Sequence, residues 1–345
     1  MVPHLPGVLS ADELLATADH LASLQMPSGM IPWFPGGHCD PWNHVESAMA
    51  LDVAGLHGPA ENAYEWLAAT QRDDGSWHNY YWPDGSVEET KLDTNVCAYV
   101  ATGVWHHWRG TWDRAFVNHL WPTVDRALTW VLAQRRHDGL ALWAVEADGM
   151  RPWNYALLTG TSSIQHALRC GAALAGVVGE RRPHWSEAAE SMVHAVAERP
   201  AAFAPKTRWA MDWYYPVLTG ALDGEAAKAR LAEGWDAFAM EGKGIRCVSD
   251  EPWVTASETA ECALAYVAIG DRDTACDLLR WTRAHRRDDG SYWTGLVWDP
   301  SAGRDGVRFP FEEHTSYTAA AVVLAADAIA GSSLTSTLFC PSRPV

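Results

Sequence analysis

Ten acidic residues of this chain stand among aromatic ones in six short polar stretches, and those two residue types together could do chemistry. The stretches read HCDPWNHVES (38–47), EETKLDTN (88–95), RPWNYALLTGTSS (151–163), WAMDWYYP (209–216), WVTASETAE (253–261) and FPFEEHTSYT (309–318). They carry Asp40, Glu46, Glu88, Glu89, Asp93, Asp212, Glu258, Glu261, Glu312 and Glu313. In or beside them lie Trp33, Trp42, Trp82, Trp153, Trp213, Tyr214, Tyr215 and Trp253, together with His38 and Asn154. Aromatic faces stack on the C–H face of a pyranose ring, while acids and amides bind its hydroxyls. Two carboxyl groups flanking a glycosidic bond can cleave it: one protonates the leaving oxygen and the other serves as base or nucleophile.

Acids at helix N-termini also have a plainer use, because they cap free N–H groups and offset the macrodipole. Glu46, Glu88 and Glu312 fit that use as well as a functional one. Asp93 and Glu261 read as lying one turn inside helices, where a carboxylate needs a partner or a task. Asp40, Asp212 and Glu258 favour a functional role. Ser163 and His166 stand within one helical turn, which makes no triad. The adjacent His106 and His107 point to different helix faces, so no metal site is expected there.

The elements that must position these groups follow from periodicity. Twelve helical segments recur, near residues 10–24, 43–56, 59–71, 89–108, 113–135, 154–178, 184–198, 210–220, 223–236, 256–268, 271–285 and 313–330. Odd members are amphipathic, as in SEAAESMVHAVAE. Even members are apolar nearly all round, as in TAECALAYVAIG, and must be buried on every side. Six exposed helices alternating with six buried ones predict an all-α (α/α)6 toroid, an inner ring sheathed by an outer one. One barrel domain is expected over residues 1–335, with a short tail at 336–345. A phrase repeats where an outer helix hands over to an inner one: QRDDGSWHNYYW (71–82) and RRDDGSYWTGLVW (286–298), with weaker copies at 23–34 and 133–144. Those loops share one face of a ring, so Trp-rich hairpins are expected to crowd its mouth, where all six polar stretches also fall.

Bulk properties narrow the partners. The net charge is −17 with His neutral, which repels nucleic acid and anionic lipid. Twenty tryptophans are several times the usual share. Seven scattered cysteines contain no C-x-x-C pair, suggesting neither zinc nor a disulfide framework. No basic-then-apolar leader and no membrane-length apolar run occurs. A cytoplasmic protein acting on a sugar polymer, with no cofactor, fits these features.

QRDDGSW resembles the Q-x-x-D-G-x-W repeat of toroidal terpene cyclases, but the D-x-D-D acid motif of that class is missing, as is D-D-x-x-D. The stretches EETKLDTNVCAYVATGVWHHW and EPWVTASETAECALAY resemble glucoamylase-type (α/α)6 glycoside hydrolases. More narrowly, GMIPWFPGGHCDPWNHVESAMALDVAGL, MDWYYPVLTGAL and GIRCVSDEPWVTASET resemble the actinobacterial methylmannose polysaccharide hydrolases. That resemblance implies endo-cleavage of α-1,4-linked, partly O-methylated mannose oligomers. It also implies Asp40 and Glu258 as the catalytic pair. Trp33, His38, Trp42, Glu46, Glu89, Asp93, Asn154, Asp212, Trp213, Tyr214, Trp253, Glu261 and Glu313 would then hold substrate. Two other readings stay open: an isoprenoid-processing toroid with a closed apolar chamber, and a sugar-binding toroid without catalysis.

Overall fold

The computed structural model describes residues 2–339. Its helices, in chain order, are α1 (Ala11–Leu24), α2 (Pro41–Val53), α3 (His57–Thr70), α4 (Thr94–Ala98), α5 (Val100–Thr111), α6 (Arg114–Ala133), α7 (Leu158–Val178), α8 (Pro183–Glu198), α9 (Ala210–Leu218), α10 (Gly224–Phe238), α11 (Ala256–Ala268), α12 (Arg272–Trp281) and α13 (Ser316–Ala330). Residue character sorts them into two rings. In α13 almost every side chain from Ser316 to Ile329 is buried, whereas α10 buries only Ala227, Leu231 and Phe238. Among the inner helices α2 packs on α5, α5 on α7, α7 on α9, α9 on α11 and α11 on α13, and α13 returns to α2. The outer helices α1, α3, α6, α8, α10 and α12 lie against them. This is the toroid that the alternation of polar and apolar helices predicted. No described helix is long and apolar enough to cross a membrane.

The repeated phrase stitches neighbouring outer helices together. Its glycine takes a positive φ of 92° at Gly29, 96° at Gly75 and 85° at Gly290. In each case the missing Cβ leaves room for the next outer helix. A Cβ on Gly29 would stand 2.1 Å from the Asn62 carbonyl oxygen of α3, one on Gly75 2.5 Å from that of Arg126 in α6, and one on Gly290 2.4 Å from that of Ala16 in α1. The glutamine four residues earlier spans the same gap. Gln25 Nε2 donates to the carbonyls of Gly29 and Pro59, at 3.0 and 2.8 Å. Gln71 Nε2 donates to those of Gly75 and Thr123, both at 2.9 Å. At the last copy Thr17 Oγ1 donates to the Gly290 carbonyl at 2.8 Å, and Arg283 pairs with Glu13 at 2.9 Å. The ring closes there, with the end of the chain on α1.

The mouth carries more strand than the short Trp-rich hairpins expected there. Short strands occupy it: β1 (Tyr80–Tyr81), β2 (Val87–Glu89), β3 (Leu92–Asp93) and β4 (Ala144–Val145), then β5 (Ala239–Met240), β6 (Gly244–Arg246), β7 (Trp253–Thr255), β8 (Gly295–Asp299) and β9 (Arg304–Arg308). The last five form one antiparallel sheet in sequential order. The predicted helix over 89–108 therefore starts only at Thr94. Leu92 and Asp93 pair with Val145 and Ala144, and Asp93 caps α4 instead of lying a turn inside it. Before the last inner helix, the loop keeps residues 313–315 out of α13, which starts at Ser316. The chain also packs beyond residue 335: Leu338 and Phe339 are buried, the Phe339 ring 5.1 Å from that of His166. Residues 340–345 of the expected tail lie outside the described residues.

Gly75→Ala and Gly290→Ala combine a forbidden φ with a backbone clash, and each should cost about 2 kcal/mol or more. Gly139→Ala should cost less, since its Cβ would meet only Ser191 Oγ at 3.4 Å. Thermal denaturation of the three variants side by side tests this ordering. Equal losses at all three would refute the stitching role.

Candidate active site

Asp40 is fixed before any ligand arrives. It is the N-cap of α2, and the amides of Trp42 and Asn43 donate to its Oδ1, both at 3.0 Å. Its Oδ2 accepts from Trp33 Nε1 at 2.7 Å and Asn43 Nδ2 at 2.6 Å. Burial raises its pKa and the four donors pull it back, with burial prevailing. Glu258 stands in the first turn of α11 and is half-buried. Its Oε2 accepts from the Thr255 and Ser257 hydroxyls. Both acids line one cavity of about 340 Å³, with Trp33, Trp42 and Tyr317 on its wall.

Three more carboxyl groups line that cavity: Glu46, Asp93 and Glu261. Glu46 is six residues beyond Asp40, nearly two turns along α2, and accepts from Tyr99 Oη at 3.2 Å. Glu261 is one turn below Glu258 and accepts from the Tyr214 hydroxyl. Burial drives both pKa values upward; the charge of Asp40 adds to it at Glu46, and the charges of Glu46 and Glu258 add to it at Glu261. Asp93 is pushed up to about 6, again chiefly by burial, with Lys91 opposing. Among the described residues Lys91 is the one cation on the cavity wall; it pairs with Glu89 at 3.3 Å and sits 4.8 Å from the Trp143 ring centre. A cavity with five carboxyl groups and one ammonium is no apolar chamber, so the isoprenoid reading is not sustained.

The repeat explains which aromatics arrive. Two residues after each turn glycine comes a buried side chain: Ile31, Trp77, Ala141 and Tyr292. Four residues after, Trp33, Asn79 and Trp143 line the cavity. The expectation that the Trp-rich phrases crowd the mouth therefore needs correcting. Trp77 is a core residue whose Nε1 donates to the Leu67 carbonyl at 2.9 Å, and the weaker copies supply the cleft tryptophans.

Of the predicted substrate-holding residues, Trp33, Trp42, Glu46, Asp93 and Glu261 line the central cavity. Asp212 lines a side cavity of about 290 Å³ that shares Trp42, Asp93, Val96, Trp143 and Met211 with it. Trp253 lines a third, of about 350 Å³, which meets the side cavity at Trp209. The other predictions fall elsewhere. Trp213 is buried flat on Phe238, ring centres 5.3 Å apart, with Nε1 bonded to the Arg230 carbonyl. Tyr214 is buried and reaches the site only through Glu261. In WAMDWYYP only one helical face can look inward, and Met211 and Asp212 occupy it. His38 pairs with Glu88 at 2.9 Å and braces Trp33 edge-on at 4.5 Å. Glu89 is held by Asn79 and Lys91. Asn154 is exposed in the loop before α7, and Glu313 offers its carbonyl to the Thr294 amide; neither lines these cavities. Lys91, Asn43, Asn79, Tyr80, Trp143, Met211, Ser257 and Tyr317 were not anticipated. For Asn79 and Trp143 the signal was their spacing from Gly75 and Gly139; the others carried none.

His106 and His107 were expected to diverge, yet both approach Asp52, their Nδ1 atoms 3.9 and 3.0 Å from it. Asp52, His57 and His107 have metal-like spacing, but they are hydrogen-bonded to one another. None of them lines the cavities above.

No protein-family model matches the chain. Over 328 residues it is 50% identical to the MMP endo-(1,4)-3-O-methyl-α-D-mannosidase of Mycolicibacterium hassiacum, covering 95% of this chain and 89% of that one. The chain belongs to the family of that enzyme. It is a glycoside hydrolase. An uncharacterized glycosyl hydrolase of Methanocaldococcus jannaschii is 24% identical over 155 residues, 44% of this hydrolase and 24% of the archaeal chain. A glycosidase solved with glucose shares the fold at a TM-score of 0.73 and 13% identity, over 93% of this chain and 97% of that one. The GH63 mannosylglycerate hydrolase of Thermus thermophilus does so at 0.67 and 13%, over 91% and 99%.

The raised pKa of Glu46 has a thermodynamic sign. In the unfolded chain the group ionises near 4.5, while in the folded hydrolase it holds its proton to higher pH. Stability is therefore lost as pH rises above about 4.5. Glu46→Gln keeps an acceptor for Tyr99 and removes that loss. The variant should melt above wild type at pH 8, and the gain should vanish near pH 4.5. A gain independent of pH would contradict the assignment.

Proposed function

We propose that this hydrolase cuts internal α-1,4 bonds of mannose oligosaccharides bearing 3-O-methyl groups, with Asp40 as the acid and Glu258 as the base. The observation that carries this reading is that Asp40 and Glu258, from two different inner helices, line one cavity walled by indole and phenol rings. The substrate class follows that of the Mycolicibacterium relative, an endo-(1,4)-3-O-methyl-α-D-mannosidase. Internal cleavage is supported by the run of three adjoining cavities, which extends well past one sugar ring. Asp40 is the buried member, with a pKa shifted in the direction a proton donor needs. Glu258, half-buried, can meet water. Trp33, Trp42 and Trp143 offer ring faces to the sugars, and Glu46 and Glu261, kept protonated, can donate to its oxygens. A cytoplasmic setting belongs to the same reading, since the six described cysteines are all unpaired.

Product analysis on synthetic α-1,4-mannooligosaccharides, with and without 3-O-methyl groups, tests the pair. Asp40→Asn and Glu258→Gln should each lower kcat by about 10²–10⁴-fold. Cleavage that survives both substitutions would overturn the residue assignment. Binding without turnover in wild type would instead favour a sugar-binding toroid.

The roles can be told apart by pH. Trp33 Nε1 donates to Asp40 and lowers its pKa, so Trp33→Phe raises it. An acid must be protonated to act, so the basic limb of kcat/KM should move to higher pH in that variant. Movement of the acidic limb instead would make Asp40 the base.

A further inference from the structure

The side cavity has two chemically different walls. One is apolar: Val96, Leu157 and Met211, set between the rings of Trp42, Trp143 and Trp209. The other carries Asp93, Thr159 and Asp212, with the Thr159 hydroxyl donating to Asp212 Oδ1 at 3.1 Å. On the same lining, Asn95 is 8% exposed, and its buried Oδ1 has no hydrogen-bond partner. An orphaned buried acceptor is costly and marks a place where a ligand O–H belongs. The cavity opens directly on the acid pair, because Trp42, Asp93, Val96, Trp143 and Met211 are common to both spaces.

We propose that this side cavity is the subsite that reads a sugar's O-methyl group: the methyl lies on Val96, Leu157 and Met211, and neighbouring hydroxyls meet Asn95 and Asp212. The inference rests on the sugar-hydrolase reading above and goes further, to the residues that distinguish a methyl ether from a hydroxyl. A methyl ether brings a carbon that gains by leaving water, roughly fourfold in affinity per buried methyl. A hydroxyl in its place would lie against carbon and lose its water without a partner, at a cost of roughly tenfold or more. The two effects act in the same direction, so the methylated ring should be preferred by tenfold or more. Substrate that is polar along one edge and apolar along the other fits the two walls, and its polar edge satisfies Asn95.

Binding tests this separately from turnover. The probes are a 3-O-methylated α-1,4-mannotetraoside and its unmethylated twin, titrated by calorimetry into the full-length Glu258→Gln variant. The methylated probe should bind at least tenfold more tightly. Adding Leu157→Asn or Val96→Thr should shrink that ratio to about threefold or less, and Leu157→Met should restore it. Asn is a favoured N-cap, and Leu157 occupies the N-cap of α7 without a capping bond, so the first substitution suits the local backbone. Equal affinity for the two probes, or a preference unchanged in both variants, would overturn the subsite. Should Glu258 prove not to be catalytic, the mannooligosaccharide cleavage assay shows it independently, and the binding ratio still decides this inference.

Discussion

Backbone meeting backbone at the turn glycines is the constraint on which the barrel depends. Inner helices buried on nearly every side present no single face that sets their order, so much of the ring's register comes from outside. Gly29, Gly75 and Gly290 supply that register. Each lets the turn after one outer helix lie against a carbonyl of the next, and Gln25, Gln71 and Thr17 bridge the same gaps. Two residues on, a buried side chain anchors the strand. Two more, and Trp33, Asn79 or Trp143 arrives at the cavity. Spacing along the loop thus becomes position in the candidate site.

Electrostatics then divides the carboxyl groups by depth. The chain is acidic overall, and five acids share one cavity with a single lysine on its wall. They cannot all be charged. Burial, with the charges of neighbouring acids, holds Glu46 and Glu261 protonated at the floor; burial also raises Asp40 against its four donors, while Glu258 stays nearer to solvent. A sugar cavity benefits from such a mixture, because hydroxyls need acceptors, whereas ring and ether oxygens need donors. The floor acids destabilise the fold when pH rises; in the proposed reading their protons would serve the sugar's oxygens.

Much of this was legible in the sequence because it rests on periodicity. The alternation of amphipathic and apolar helices gave the toroid, and the polar starts of the inner helices gave the face on which Asp40, Asp93, Asp212, Glu258 and Glu261 converge. Mouth strands such as Val87–Glu89 and Trp253–Thr255 were missed, because segments this short show too little alternation to separate from loop or helix. Trp213 and Tyr214 were misplaced for a different reason. In a run of four aromatics and an acid, helical phase decides which side chain looks inward, and a phase error of one residue exchanges a platform for core filler. Lys91 and Tyr317 were invisible because their importance comes from neighbours far away in the chain.

The cavity is also a seam. Trp33 and Asp40 come from the first helical pair, Glu258 and Tyr317 from the last two, and the Ser316 amide donates to the Trp33 carbonyl at 2.7 Å where the two ends meet. A growing polypeptide that has left the ribosome only as far as α11 holds Asp40 and Glu258 on opposite flanks of an open arc, without the Tyr317 wall that α13 adds. Hydrolytic competence therefore appears with the final helix rather than accumulating during synthesis. A chain that lost α13 would lose Tyr317 and, with it, part of the wall of the cavity that Asp40 and Glu258 share.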